Sequence, residues 1–131
     1  MTHIESHELV GFLAENRDAI LIDVRFGYER AEVGYVSQSL HIPMYTPDWE
    51  LNQDFVRDVS VIARPETPIV IICRTGNRSC DAVDMLEQQG FKRVYNLLQG
   101  YVGLVDQLAQ HEQHNFAGIL VMPSSSAEFR V

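Results

Sequence analysis

Four consecutive apolar residues, Ile69-Val70-Ile71-Ile72, stand between Pro68 and Cys73. A strand with one wet face alternates apolar and polar side chains, so an unbroken apolar run needs cover on both faces. Ala19-Ile20-Leu21-Ile22 repeats the pattern upstream and ends at Asp23-Val24-Arg25, and Val94-Tyr95-Asn96-Leu97 follows downstream. Between these runs, apolar residues recur at helical spacing. Leu9, Val10, Phe12 and Leu13 mark a helix over 7–15 behind Ser6 as N-cap. Leu51, Phe55, Val59 and Ile62 mark another that Pro65 ends, and Val83 and Leu86 a third, from about Ser79, that stops at Gly90. Shorter signals predict a helix over 28–33, a strand over 40–42 stopped by Pro43, and a last helix over 101–110. Strands alternating with helices predict an α/β fold, a mainly parallel β-sheet flanked by helices on both faces. Residues 1–110 form the predicted domain. In the extension 111–131 the apolar stretch 116–122 suits either an extra edge strand or a homodimer contact.

A chain of 131 residues can bury a core without disulfides or metals. Its net charge of −8, with no basic stripe, argues against nucleic acid and anionic membranes as partners. The apolar runs are too short to span a bilayer, and the first residues show neither a basic start nor an apolar signal core, so the expected location is cytoplasmic. In a reducing compartment Cys73 and Cys80 are expected as free thiols. No CxxC occurs, and the pairs His3/His7 and His111/His114 lack an evident third ligand; no metal site is expected.

The segment Cys73-Arg74-Thr75-Gly76-Asn77-Arg78-Ser79 joins a buried strand to a helix. Its peptide N–H groups can curve round the cysteine sulfur as an anion nest, and Gly76 permits a positive φ or a close backbone approach. The helix N-terminus adds partial positive charge. These terms favour thiolate over thiol. Arg74 and Arg78 concentrate positive charge in an acidic chain and suit the oxyanions of a donor, while Ser79 can cap the helix or donate to the sulfur. Cys73 is therefore the candidate nucleophile.

Strand, Cys73-Arg74-Thr75-Gly76-Asn77-Arg78-Ser79, then helix resembles the active-site loop of the rhodanese family of sulfurtransferases. Asp23-Val24-Arg25, the stretch from Gly34-Tyr35-Val36 to His41-Ile42-Pro43, and Val94-Tyr95-Asn96-Leu97 to Gly100 are similar to further segments of that family, in order, over residues 4–110. The resemblance implies a double displacement without metal or organic cofactor. Thiolate Cys73 takes the sulfane sulfur of a small anionic donor such as thiosulfate and becomes a persulfide; a thiol, cyanide or protein acceptor then removes it. Arg74, Thr75, Gly76, Asn77, Arg78 and Ser79 would bind the donor. The chain departs from the family at Gln38 and Gln99, where glycine is usual, at His41 in place of asparagine, and at Leu104 in place of a frequent tryptophan.

Two other classes compete. Cysteine-dependent phosphatases and some arsenate reductases place arginine six positions after the cysteine; here that position is Ser79 and the arginine comes one earlier, at Arg78. A rhodanese-fold interaction module would not need the cysteine, whereas a sulfur-relay protein would keep it and differ only in its partners. Asp23 and Arg25 are expected as supporting residues, a structural ion pair or anchor, with Glu29 or Glu32 as a further candidate partner of Arg25. Cys80 is expected in the first helical turn, packed against the sheet, with a resolving role as the alternative. Tyr45 and Trp49 suit either the substrate mouth or an anchor for a proline-broken loop.

Overall fold

The computed structural model describes residues 1–110 and 119–122. Its centre is a five-stranded, fully parallel sheet of β1 (Thr2–Ile4), β2 (Ile20–Asp23), β4 (Leu40–His41), β5 (Ile69–Ile72) and β6 (Val94–Leu97), in the order β1-β6-β5-β2-β4. The helices are α1 (Leu9–Glu15), α2 (Gly27–Val33), α3 (Phe55–Ile62), α4 (Arg78–Gln88) and α5 (Gly100–Gln110). The α/β class and the parallel sheet stand as expected.

The unbroken apolar run of β5 has the predicted cause. Ile69, Ile71 and Cys73 pack with Phe55 and Val59 of α3 and Val83 and Leu86 of α4. Val70 and Ile72 point to the opposite face, among Leu9 of α1 and Tyr101, Leu104 and Leu108 of α5. Each of the four β5 residues is fully buried. Truncating Ile71 to alanine should cost about 2–5 kcal/mol, the sum of lost transfer energy and residual cavity.

Several elements differ from the sequence expectation. Thr2–Ile4 forms a strand, in register with Tyr95–Leu97 of β6; three residues are too few for a readable period. The first helix begins with a 3₁₀ turn at Ser6–Glu8, and the residue ahead of it is Glu5, not Ser6: the Glu5 N–H donates to Glu8 Oε1 at 2.9 Å. The Ser6 hydroxyl has no hydrogen-bond partner among the described residues. The third helix starts at Phe55, because Asn52 turns the chain by accepting the Asp54 N–H on its side chain at 3.1 Å and the Phe55 N–H on its carbonyl at 3.1 Å. Tyr35–Val36 is a further short strand, β3, paired antiparallel with β7 (Leu120–Val121). Part of the expected 116–122 stretch thus adds a strand, while the rest of the extension, with His111 and His114, lies outside the described residues. No helix among the described residues is long and apolar enough to cross a membrane.

Candidate active site

β5 is the middle strand of the sheet and delivers Cys73 at its carboxyl end, where ligands of parallel sheets bind. Two groups meet the sulfur. The Gly76 N–H donates to Cys73 Sγ at 2.9 Å, and Ser79 Oγ lies 3.3 Å away. Gly76 has φ +97°, and a Cβ there would stand 3.2 Å from the Gln99 amide nitrogen, so the turn that aims this N–H requires glycine. α5 fixes the main chain from behind: the Tyr101 N–H donates to the Cys73 carbonyl at 2.8 Å and the Val102 N–H to that of Arg74 at 3.0 Å. Gly100 makes this approach possible, because a Cβ on it would fall 2.5 Å from the Cys73 carbonyl oxygen.

The remaining loop residues divide by exposure. Arg74, Thr75 and Asn77 are exposed, Gly76 and Ser79 are buried, and Cys73 is only 1% exposed. Arg74 has no ion-pair partner among the described residues and lines a cavity of about 250 Å³ with Tyr28, Glu29, Glu32 and Tyr101. Arg78, expected beside Arg74 as an anion ligand, is bidentate on Glu29 at 2.8 and 3.0 Å. Glu29 also accepts the Phe26 N–H at 2.9 Å. Burial pushes the Glu29 carboxyl up, but the Arg78 hydrogen bond, the Phe26 N–H and the charges of Arg78 and Arg25 outweigh it and hold the group below its ordinary range. The bond to Glu29 in turn raises Arg78, so both groups stay charged at neutral pH. The Arg78 guanidinium lies 5.3 Å from the Phe26 ring and 5.9 Å from that of Trp49. Trp49 meets Phe26 edge-on at 4.9 Å and Tyr45 at 5.7 Å, so it joins an aromatic cluster beside the loop while staying 62% exposed.

Asp23 and Arg25 are both fully buried and bound to each other, Nε to Oδ1 at 2.9 Å and Nη2 to Oδ2 at 2.8 Å. Arg25 also donates to the Gly34 carbonyl at 2.8 Å, and Arg30 reaches the same Asp23 carboxylate at 3.1 Å. The ion-pair reading holds, and the partner of Arg25 is Asp23 rather than Glu29 or Glu32: Glu29 is taken by Arg78, and Glu32 makes no ion pair among the described residues. His41 ties this segment down through Nε2, 2.7 Å from the Arg25 carbonyl.

Cys80 sits in the first turn of α4, with its thiol donating to the Gly76 carbonyl at 3.1 Å. Burial pushes that thiol up, and electrostatic interaction with Cys73, Asp81 and Asp84 adds to the effect. Asn96 is a residue of the site that the sequence pattern did not single out. It is 1% exposed, and its Oδ1 accepts the Ser79 hydroxyl. A polar residue on the same strand face as core residue Val94 was the available signal. No group of three or more His, Cys, Asp or Glu side chains among the described residues is placed to hold a metal ion.

The rhodanese-like domain family matches residues 6–107 of this chain. The chain belongs to that family. It is 31% identical over 102 residues to a protein named sulfurtransferase from Allochromatium vinosum, covering 78% of this chain and 86% of the relative. It is 30% identical over 101 residues to the thiosulfate sulfurtransferase GlpE of Coxiella burnetii, covering 77% and 81%. The crystal structure of Rv0390 from M. tuberculosis superposes with a TM-score of 0.71 at 27% identity, covering 79% of this chain and 81% of that one. The rhodanese-like fold and membership of a sulfurtransferase family follow from these matches.

Proposed function

We propose that this rhodanese-like domain transfers sulfane sulfur from thiosulfate or a persulfide donor to a thiol or cyanide acceptor through a Cys73 persulfide. The observation that carries the reading is the Gly76 N–H aimed at the Cys73 sulfur at 2.9 Å, from a turn at φ +97° that would strain any residue with a Cβ. That N–H favours a negatively charged sulfur both as thiolate and after loading.

With thiosulfate, the Cys73 thiolate attacks the outer sulfur, a new S–S bond forms, and the old S–S bond breaks with its electron pair leaving on sulfite. The product is a persulfide anion, and total charge is conserved. An acceptor nucleophile then bonds to the terminal sulfur and returns Cys73 to thiolate. Neither step needs a metal or an organic cofactor. Arg74, exposed and without an ion-pair partner among the described residues, supplies the direct anion contact, while Arg78, held by Glu29, supplies positive field and anchors the start of α4. Exposed Thr75 and Asn77 complete the rim of the loop. The position where a phosphatase-type loop would carry arginine holds Ser79, buried and bonded to Asn96, which favours sulfur over phosphoryl chemistry. The proposed setting is the cytoplasm, where both cysteines stay reduced, and the acceptor is a small thiol or a protein persulfide carrier.

Thiocyanate release from thiosulfate and cyanide tests the reading. Wild type is expected to turn over and Cys73→Ser to be inert. Hydrolysis of an aryl phosphate without thiocyanate would point to the phosphatase or arsenate-reductase class instead. Inertness in both assays, with tight binding of a partner protein, would point to an interaction module.

A further inference from the structure

Four groups converge on the buried Asn96 amide of β6. Oδ1 accepts the Ser79 hydroxyl, and Nδ2 lies 3.1 Å from His3 Nδ1, 3.4 Å from the Gly76 carbonyl oxygen and 3.5 Å from Cys80 Sγ. Two of these residues, Gly76 and Ser79, are the ones that touch the Cys73 sulfur. Asn96 touches no reacting atom itself, yet it holds both groups that do.

Ser79 has a single hydroxyl hydrogen. Committed to Asn96 Oδ1, that hydrogen is not available to the sulfur, which then faces only oxygen lone pairs at 3.3 Å. Such an arrangement suits a thiol, which can donate to Ser79 Oγ, and opposes a thiolate, which can only accept. Turning the hydroxyl toward a thiolate strands Asn96 Oδ1 as a buried acceptor without a partner. Gly76 is not part of this competition, because its N–H donates to the sulfur in either state.

We propose that Asn96 is a positioning residue that sets how readily Cys73 becomes a thiolate, by competing with the sulfur for the one hydrogen of Ser79. On ionisation the thiol proton leaves to solvent; the Ser79 O–H bond stays intact and only rotates. The residue therefore holds the nucleophile back in the resting protein. The inference rests on the proposed function only in taking the thiolate as the reacting form, and its test involves no sulfur transfer, so the two can fail separately.

The titratable and charged groups that bear on this cluster are His3 on β1, Arg78 with its partner Glu29, and Cys80 on α4, with Asp81 and Asp84 beyond them. All are retained in the variants, and the loss of the Asn96 Nδ2 contacts to His3, Gly76 and Cys80 is common to both backgrounds, so the effect of Asn96→Val with and without the Ser79 hydroxyl reports on the Ser79 hydrogen. The experiment is the rate of Cys73 alkylation by iodoacetamide from pH 5 to 9, followed on the Cys73 peptide by mass spectrometry so that Cys80 does not contribute. Asn96→Val removes the competing acceptor. Its profile is expected to move toward acid, with Cys73 reacting about tenfold faster at pH 6, the effect of about one hydrogen bond to a charged group. In Asn96→Val/Ser79→Ala the acid shift is expected to vanish relative to Ser79→Ala alone. An Asn96→Val profile that is unchanged or moved toward alkali overturns the proposal, as does an acid shift that persists without the Ser79 hydroxyl. Should valine at this position prevent folding, Asn96→Ala makes the same comparison with the same outcomes.

Discussion

Arg78 and Glu29, 49 positions apart in the chain, are joined by two parallel hydrogen bonds of 2.8 and 3.0 Å. The pair fastens the start of α4 to α2, and so fixes the far end of the cysteine loop against the helix that follows β2. Both side chains are largely buried, 16% and 10% exposed. Glu29→Gln should therefore cost about 2 kcal/mol, less than a fully buried pair would lose. The sign of the pH dependence follows from the lowered Glu29 carboxyl. Its stabilising contribution is complete above the unfolded glutamate value of about 4.3 and is lost as pH falls through the lower folded value. Thermal melts should show wild type above Glu29→Gln at pH 7, with the gap closing below about pH 4. A gap that widens toward acid would contradict this assignment.

Gly100→Ala should damage the site from behind. The position has φ +60°, and a Cβ there would collide with the carbonyls of Cys73 and Arg74 at 2.5 and 2.6 Å. Left-handed strain together with a backbone clash should cost about 2–4 kcal/mol. Urea unfolding measures the stability, and thiocyanate release from the folded fraction should also fall, because the clash is with the nucleophile's own carbonyl.

Asp23→Asn leaves Arg25 buried beside a neutral partner. The expected loss is about 3–5 kcal/mol, as for other broken buried pairs. Arg30 deepens the loss, since it shares the same carboxylate oxygen as Arg25 and is left as a second cation beside it. Buried and bonded to each other, Asp23 and Arg25 support the site and do not react. Folded Asp23→Asn protein, obtained at low temperature, should keep most of its sulfur-transfer rate; loss of rate without loss of stability would contradict that role.

Cys80→Ser should retain transfer within about threefold, because its thiol is held up by burial and by neighbouring negative charge and stays protonated at neutral pH. Peptide mapping after thiosulfate treatment should find the added sulfur on Cys73 and none on Cys80.

Legibility in the sequence followed the physics of each signal. β5 was readable because four fully buried residues leave no polar position, and its loop because glycine and two arginines after a strand-end cysteine have few other uses. Gln38 and Gln99 stood out as departures from glycine, and both adopt positive φ, 65° and 66°. β1 was not readable: three residues carry no period, and its strand character comes from pairing with β6. Nor was the partner of Arg78, because the 49-residue separation from Glu29 is closed only by tertiary structure. Asn96 was visible as a polar residue in an apolar strand, but its significance depends on where Ser79 Oγ comes to lie.

The most direct test of a Cys73 persulfide is intact-protein mass after thiosulfate treatment and desalting. Wild type should gain one sulfur atom that cyanide removes as thiocyanate, and Cys73→Ser should gain none. A wild-type mass that stays unchanged, or a sulfur adduct that persists in Cys73→Ser, would contradict the account.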